Sequence, residues 1–219
     1  MQLRIQGCDT GVFIPMGDMN EFPKDPKKIR ERIKRYERAL QGELKTFGGI
    51  DDGAGKRYLL GPLYMLLGDI PGAVKSFAWF EKTCPNDMGE PFQYLCWNLA
   101  LYRSGKLEAA SKKLRQTMLM NLYLLPQLLG LKQERLNIWH GTNWAEDSYL
   151  EYAPPELFAL WDEAALRWAR ERYESPEFTQ VRKRYIEIHE QLQNERPGPK
   201  RQQLVREAFA LEGKGGDEV

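Results

Sequence analysis

Gly53-Ala54-Gly55-Lys56 invites a phosphate-binding reading, because glycine-rich loops ending in lysine cradle phosphates with backbone N–H groups and an ammonium. The motif needs glycine five residues before the Gly-Lys pair and serine or threonine after it. Ile50 and Arg57 hold those positions, and no strand is predicted ahead of the loop. The four residues therefore predict a flexible start to a helix. His189-Glu190-Gln191-Leu192-Gln193 falls one residue short of a zinc-binding helix. Two imidazoles one turn apart are the purpose of that motif, and Gln193 cannot replace the second. His189 sits beside the apolar seam of an otherwise polar helix and is expected to be solvent-exposed. His140 and His189 are the chain's two histidines, so the paired spacing of a structural zinc site is missing. No metal site and no cofactor are expected.

Nucleophilic catalysis needs a nucleophile, a base and a group that orients the base. Cys84 or Cys96 with His140 is the nearest candidate set. Cys96 falls inside a predicted helix, where a small apolar residue packs well. Cys84, beside Pro85, marks an exposed helix end. The set does not amount to a catalytic arrangement, and the expectation is a protein that is not an enzyme. The loop Trp139-His140-Gly141 is where chemistry, if present, would be sought.

Binding chemistry is better represented. Residues 26–47 carry Lys27, Lys28, Arg30, Arg32, Lys34, Arg35, Arg38 and Lys45 against three glutamates. A positive ridge including Arg32, Arg35 and Arg38 could attract nucleic acid or an acidic partner. Arg182-Lys183-Arg184 raises the same question, with glutamates interleaved to weaken it. The formal charge of +1 removes any global attraction to polyanions, so a solvated, solubilising face is the commoner explanation.

The chain has 219 residues, 42% apolar and 29% charged, near globular averages. Cys8, Cys84 and Cys96 are few, odd in number and widely spaced, which favours free thiols in a reducing compartment. The first fifteen residues lack the apolar run of a signal peptide. The most apolar window, 118–131, is interrupted by Asn121 and Pro126, and is shorter than the roughly 18 residues a spanning helix needs. A cytoplasmic protein without a membrane segment is expected.

Nearly every periodic segment repeats at 3.6 residues, so the predicted class is all-α. Residues 1–25 read as an N-terminal arm or small hairpin. Asp25 caps a helix whose first residue is Pro26, with Ile29, Ile33, Tyr36, Leu40, Leu44 and Phe47 on one face. A loop over 131–143 and a short helical piece at 144–152 follow further on. A helix then opens at Pro154-Pro155 and continues through Leu157, Phe158, Trp161, Ala165 and Trp168. Ser175 and Pro176 start the next, with Phe178, Val181, Tyr185, Ile188 and Leu192 as its seam. The Pro-Gly-Pro break at 197–199 precedes a last helix, and 213–219 reads as a frayed tail.

Between these flanks lies a repeat. Leu60 and Gly61, Tyr64, the turn at Gly68, Ala73, Phe77 and Pro85 follow the tetratricopeptide pattern of two antiparallel helices that meet at small residues around a bulky plug. Phe80 stands where a small residue is usual. Tyr94, Trp97, Leu101, Gly105, Ala110 and Leu114 form a second copy, with Asn98 replacing the small residue. Gly68 to Gly105 spans 37 positions against a usual repeat of about 34. The repeats occupy about 54–87 and 91–121. More narrowly, Asp51-Asp52-Gly53 with Arg57-Tyr58-Leu59-Leu60, and Asn121 to Pro126 ending in Leu128-Leu129-Gly130, resemble bacterial tetratricopeptide-like proteins. In those, an Asn-Pro-x-Val-Pro-x-x-Leu-Leu-Gly segment follows the second repeat; Leu122 and Leu124 depart from it here. That group has no assigned chemistry.

Two stacked hairpins expose apolar flanks and need caps. One all-α domain over 26–212 is therefore expected, a tetratricopeptide-like α-α superhelix with capping helices on both sides. The resemblance implies an interaction scaffold that binds a peptide or helix in its inner groove, lined by Tyr58, Met65, Phe92, Leu99, Tyr102 and Arg103. Tyr58 and Pro62 occupy the places of the Lys and Asn that clamp a C-terminal carboxylate in some such domains. Self-association is a further possibility, and the chain's own C-terminal helices compete for the groove.

Overall fold

The computed structural model describes residues 22–213. Cys8, most of the expected arm and the tail beyond Gly213 lie outside the described residues. Among the described residues the regular structure is ten α-helices and two 3-10 helices, with no strand. The class is all-α, with helices packed in layers in the manner of a helical repeat.

α1 (Pro26–Phe47) starts where the sequence predicts: the Lys27 N–H donates to the Asp25 carboxylate at 2.8 Å, and Pro26 opens the first turn. Ile29, Ile33, Tyr36 and Leu40 are buried, and α1 packs on α2 (Lys56–Leu66). Phe47, predicted on the same face, is 74% exposed. The last turn of α1 runs past the surface it covers, so the seam ends before the helix does.

α2 pairs with α3 (Ile70–Thr83), and α4 (Pro91–Arg103) with α5 (Leu107–Met120). The first pair meets at Gly61. A Cβ there would lie 2.1 Å from Cε1 of Phe77, so hydrogen is the only side chain the approach admits. The second pair has Asn98 at the equivalent place and resolves it differently. The Asn98 amide donates to the Tyr94 carbonyl at 3.3 Å and the Thr117 hydroxyl at 3.4 Å. Phe77 stacks on Trp97 across the two pairs, with centroids 5.3 Å apart and planes 7° from parallel. Phe80, too large for the repeat pattern, is used as a joint, edge-on to both Tyr58 and Trp97. The Lys113 ammonium lies 3.5 Å from the Trp97 ring centroid, a cation–π contact that holds a lysine at the core's edge.

α6 (Leu124–Leu128) follows, then an irregular stretch over 131–142. The 3-10 helices Asn143–Ala145 and Asp147–Tyr152 fall where a short helical piece is predicted. The single helix expected from Pro154 is two, α7 (Pro155–Phe158) and α8 (Glu163–Tyr173). Asp162 makes the break: its backbone is extended, and its carboxylate accepts the Ala165 N–H at 2.9 Å to cap α8. α9 (Pro176–Asn194) and α10 (Pro199–Leu211) close the chain as a further hairpin, clasped by the Arg184 fork on Glu207 at 2.6 and 2.8 Å. Gln116 of α5 donates to the Glu212 carbonyl at 3.0 Å and ties this hairpin to the repeats. No helix among the described residues is long and apolar enough to cross a membrane.

Candidate functional site

The Gly53–Lys56 segment is a helix start. Gly55 takes the left-handed backbone at φ 67°, and Asp52, its side chain buried, accepts the Arg57 N–H at 2.8 Å and the Lys56 ammonium at 2.8 Å. Arg57 continues to Asp87 at 2.7 Å, and the Tyr58 hydroxyl donates to Asp87 at 2.8 Å. Burial, with the Asp87 charge, pushes the Tyr58 phenol well above its usual value. This network fastens the start of α2 to the connection between α3 and α4.

Of the six residues expected to line an inner groove, Tyr58, Phe92, Tyr102 and Arg103 meet the 144–168 stretch of the chain itself. Tyr58 meets Trp144 edge-on at 5.8 Å. Phe92 stacks on Tyr149 at 5.2 Å and touches Phe158 edge-on at 6.5 Å. Tyr102 packs on Trp168 at 4.8 Å, and Arg103 donates to the Leu160 carbonyl and to Asp162. Met65 and Leu99 are buried in the core. Of the two outcomes the sequence leaves for the groove, open or covered by the chain itself, Tyr58, Phe92 and Tyr102 follow the second, each packed on an aromatic residue of the 144–168 stretch. Glu90 pins that filling. Its buried carboxylate caps α4 through the Phe92 and Gln93 N–H groups at 3.0 and 2.7 Å, and accepts the Tyr149 hydroxyl at 2.5 Å. Burial raises the Glu90 carboxyl above its usual value, against the pull of these three donors.

The basic ridge lies on the outer side of α1. Arg35 is exposed with its guanidinium 5.5 Å from the Tyr36 ring, Arg38 donates to the Lys34 carbonyl, and Arg32 is half-buried. Cys96 is sealed in the core, where burial pushes its thiol far up; Cys84 ends α3 half-buried. No three His, Cys, Asp or Glu side chains among the described residues are grouped as a metal site requires.

A cleft of about 200 Å³ opens instead around the Trp139-His140-Gly141 loop. Its walls come from the end of α5 (Leu119, Met120), the 138–145 stretch, α9 (Tyr185, His189, Leu192) and α10 (Val205, Ala208, Phe209). His189, expected in solvent, is 7% exposed. It falls one turn beyond Tyr185 and one residue from Ile188, so it shares the stripe that faces inward. The loop is latched to it twice: the Trp139 N–H donates to the His189 carbonyl at 3.1 Å, and His189 Nδ1 lies 2.8 Å from the Trp139 carbonyl. A carbonyl can only accept, so Nδ1 carries a proton, and in the neutral ring that burial favours Nε2 is an acceptor. That Nε2 is buried and meets no donor among the described residues. The Trp139 ring stacks over the imidazole at 5.7 Å, and the Tyr185 ring lies 4.2 Å away. The Tyr185 hydroxyl donates to Glu212 at 2.9 Å.

Burial holds the His189 imidazole below the usual histidine value, with the Trp139 hydrogen bond partly opposing it. The unfolded chain protonates His189 near pH 6.5 while the folded chain resists. Stability contributed by neutral His189 is therefore present above about pH 6.5 and is lost as pH falls through the lower folded value. The loss is about 1.4 kcal/mol for each tenfold weakening of proton binding. Thermal unfolding between pH 7.5 and 5 should show a steeper decline in the native protein than in His189→Phe. Equal slopes would remove His189 from the account.

Sequence reasoning singled out the Trp139 loop but not the groups it meets. The spacing Tyr185–His189 carried the signal for the histidine. Nothing in the sequence joins Glu90 to Tyr149, 59 positions apart. No protein-family model, no curated protein and no solved structure matches the chain.

Proposed function

We propose that the chain is a non-catalytic scaffold that receives a segment of a partner protein, and that the receiving surface is the aromatic cleft rather than the inner face of the hairpins. The observation that supports this is the rim. Met88, Trp139 and Phe209, large apolar side chains that are 45%, 36% and 44% exposed, gather at the mouth of one apolar cavity. Exposed apolar surface concentrated in this way marks interaction sites, and buried anchors ringed by water-excluding contacts carry most interface energy. A protein segment would cover rim and cavity together, whereas a free small molecule would leave the rim in water. His189 Nδ1 and the Tyr185 hydroxyl are engaged with Trp139 and Glu212 in holding the loop and the helix end, and the described lining of the cleft offers neither cysteine nor serine as a nucleophile. The free thiols Cys84 and Cys96 suit a reducing compartment, and the cytoplasm is part of the same proposal.

Site-specific photo-crosslinking tests it. A benzophenone amino acid replacing Phe209 should yield protein adducts in cells, and the same probe replacing Tyr102 should yield none. Adducts concentrated at Tyr102 would return the binding role to the inner face. Nucleic acid captured by a probe at Arg35, with nothing at 209, would favour the basic ridge of α1 and sink the proposal.

A further inference from the structure

We infer that the 138–141 segment is a proton-operated gate on the cleft: neutral His189 holds it in place as a wall, and protonation of the imidazole releases it. The gate is a property of the chain alone, and its bearing on binding rests on the cleft being the receiving surface.

Trp139 is fastened through one residue. Its N–H donates to the His189 carbonyl, its carbonyl accepts from the His189 ring, and its side chain stacks on that ring. Around it the chain from Leu131 to Thr142 has no helix. Further ties of this stretch are single bonds, the Leu136 N–H to the Tyr123 hydroxyl at 3.1 Å and the Gln193 amide to Asn137 at 2.9 Å. Backbone of this kind opens at a lower free energy than packed helices.

A second proton on the ring falls where the site cannot take it. Nε2 has less than 1 Å² of accessible surface and no acceptor among the described residues. The Trp139 and Tyr185 rings lie within 19° and 34° of parallel to the imidazole, so neither turns a π face toward an N–H in the imidazole plane. Of the charged and titratable groups around it, Glu212 at the end of α10 favours the cation, and its carboxylate already accepts the Tyr185 hydroxyl. His140 on the segment opposes the cation, and Arg201 of α10 sets a guanidinium 5.2 Å from the Trp139 ring centroid. The walls from α5, α9 and α10 add apolar Leu119, Leu192 and Val205. Protonation strengthens the bond to the Trp139 carbonyl, but a buried charged donor left without an acceptor costs more than a charge-assisted bond gains. Burial accordingly holds the ring below the usual histidine value. Lifting 138–141 uncovers the ring to water and takes Ile138, Trp139 and His140 out of the cleft wall.

Hydrogen exchange of the native full-length protein, read by NMR at pH 7.5, 6.5 and 5.5 and divided by the intrinsic rate at each pH, tests the gate. The Trp139 N–H is expected to lose protection toward about tenfold per pH unit below about 6.5, while Leu114 in α5 and Ile188 in α9 keep theirs. His189→Gln keeps an amide donor for the Trp139 carbonyl but does not titrate, and should abolish the dependence. His140→Gln, at a partly exposed residue, should leave it intact, so the assignment of the proton survives if the first variant does not fold. Protection at Trp139 that is independent of pH, or that falls in step with Leu114, would overturn the gate. Loss of the dependence in His140→Gln would move the proton to His140 and overturn it as well. A pH-dependent Trp139 with no protein adducts from the probe at 209 would keep the gate and remove the protein-segment reading.

Discussion

Phe77→Ala is expected to lower the unfolding free energy by about 3–5 kcal/mol, the range for emptying a fully buried aromatic site. Phe77 is 1% exposed, lies on Gly61 and stacks on Trp97, so its loss opens a cavity that touches both hairpins. The reciprocal change sharpens the point. Glycine to alanine inside a helix ordinarily gains about 1 kcal/mol from propensity. At Gly61 the added carbon would meet Phe77 at 2.1 Å, so overpacking, at about 1–3 kcal/mol or more, should reverse the sign. The two effects are coupled through one contact, and Gly61→Ala combined with Phe77→Leu should cost less than the sum of the single changes. Urea unfolding of the native protein, Phe77→Ala, Gly61→Ala, Phe77→Leu and the double variant measures this. A cost below 1 kcal/mol for Phe77→Ala, or additive single changes, would show that the close approach is not what fixes the first hairpin.

The second large effect is at Glu90. Glu90→Ala leaves the Phe92 and Gln93 N–H groups and the Tyr149 hydroxyl without an acceptor in the core, each orphaned donor costing about 1–3 kcal/mol. The expected loss is on the order of 3–5 kcal/mol, a large fraction of the roughly 5–15 kcal/mol that domains possess. Tyr149→Phe removes only the bond to the carboxylate and should cost about 1.5–3 kcal/mol. The two differ in place as well as size. Loss of Tyr149 should loosen the 144–158 stretch first, which hydrogen exchange detects, whereas loss of Glu90 also frays α4. Protection at 144–158 that is unchanged in Tyr149→Phe would mean that ring stacking on Phe92 suffices to hold the filling.

The parts of the fold that proved legible are those governed by residues close in sequence. Asp25-Pro26 and Ser175-Pro176 announce helix starts through local backbone chemistry, and both serve as predicted. The first hairpin was readable because Gly61 and Phe77 can only be neighbours if two helices touch. The break at Asp162 was missed because the apolar spacing from Leu157 to Trp168 runs through it; capping overrode periodicity. The site was less legible than the fold. Tyr58, Phe92 and Tyr102 are named by the repeat pattern, but what covers them is set by Trp144, Tyr149 and Trp168, and no local rule links the two sets. His189 was misplaced because the polar residues around it outweighed its position on the stripe.

The filling of the inner face also sets a threshold for anything that would replace it. Trp144, Tyr149 and Trp168 are joined to the repeats by the irregular stretch 131–142, so they act as a tethered ligand. Tethering confers an effective concentration on the order of millimolar for a short flexible connection, and the latches at Glu90 and His189 raise it further. An outside helix with the same intrinsic affinity for Tyr58, Phe92 and Tyr102 would have to reach that concentration merely to share the face equally.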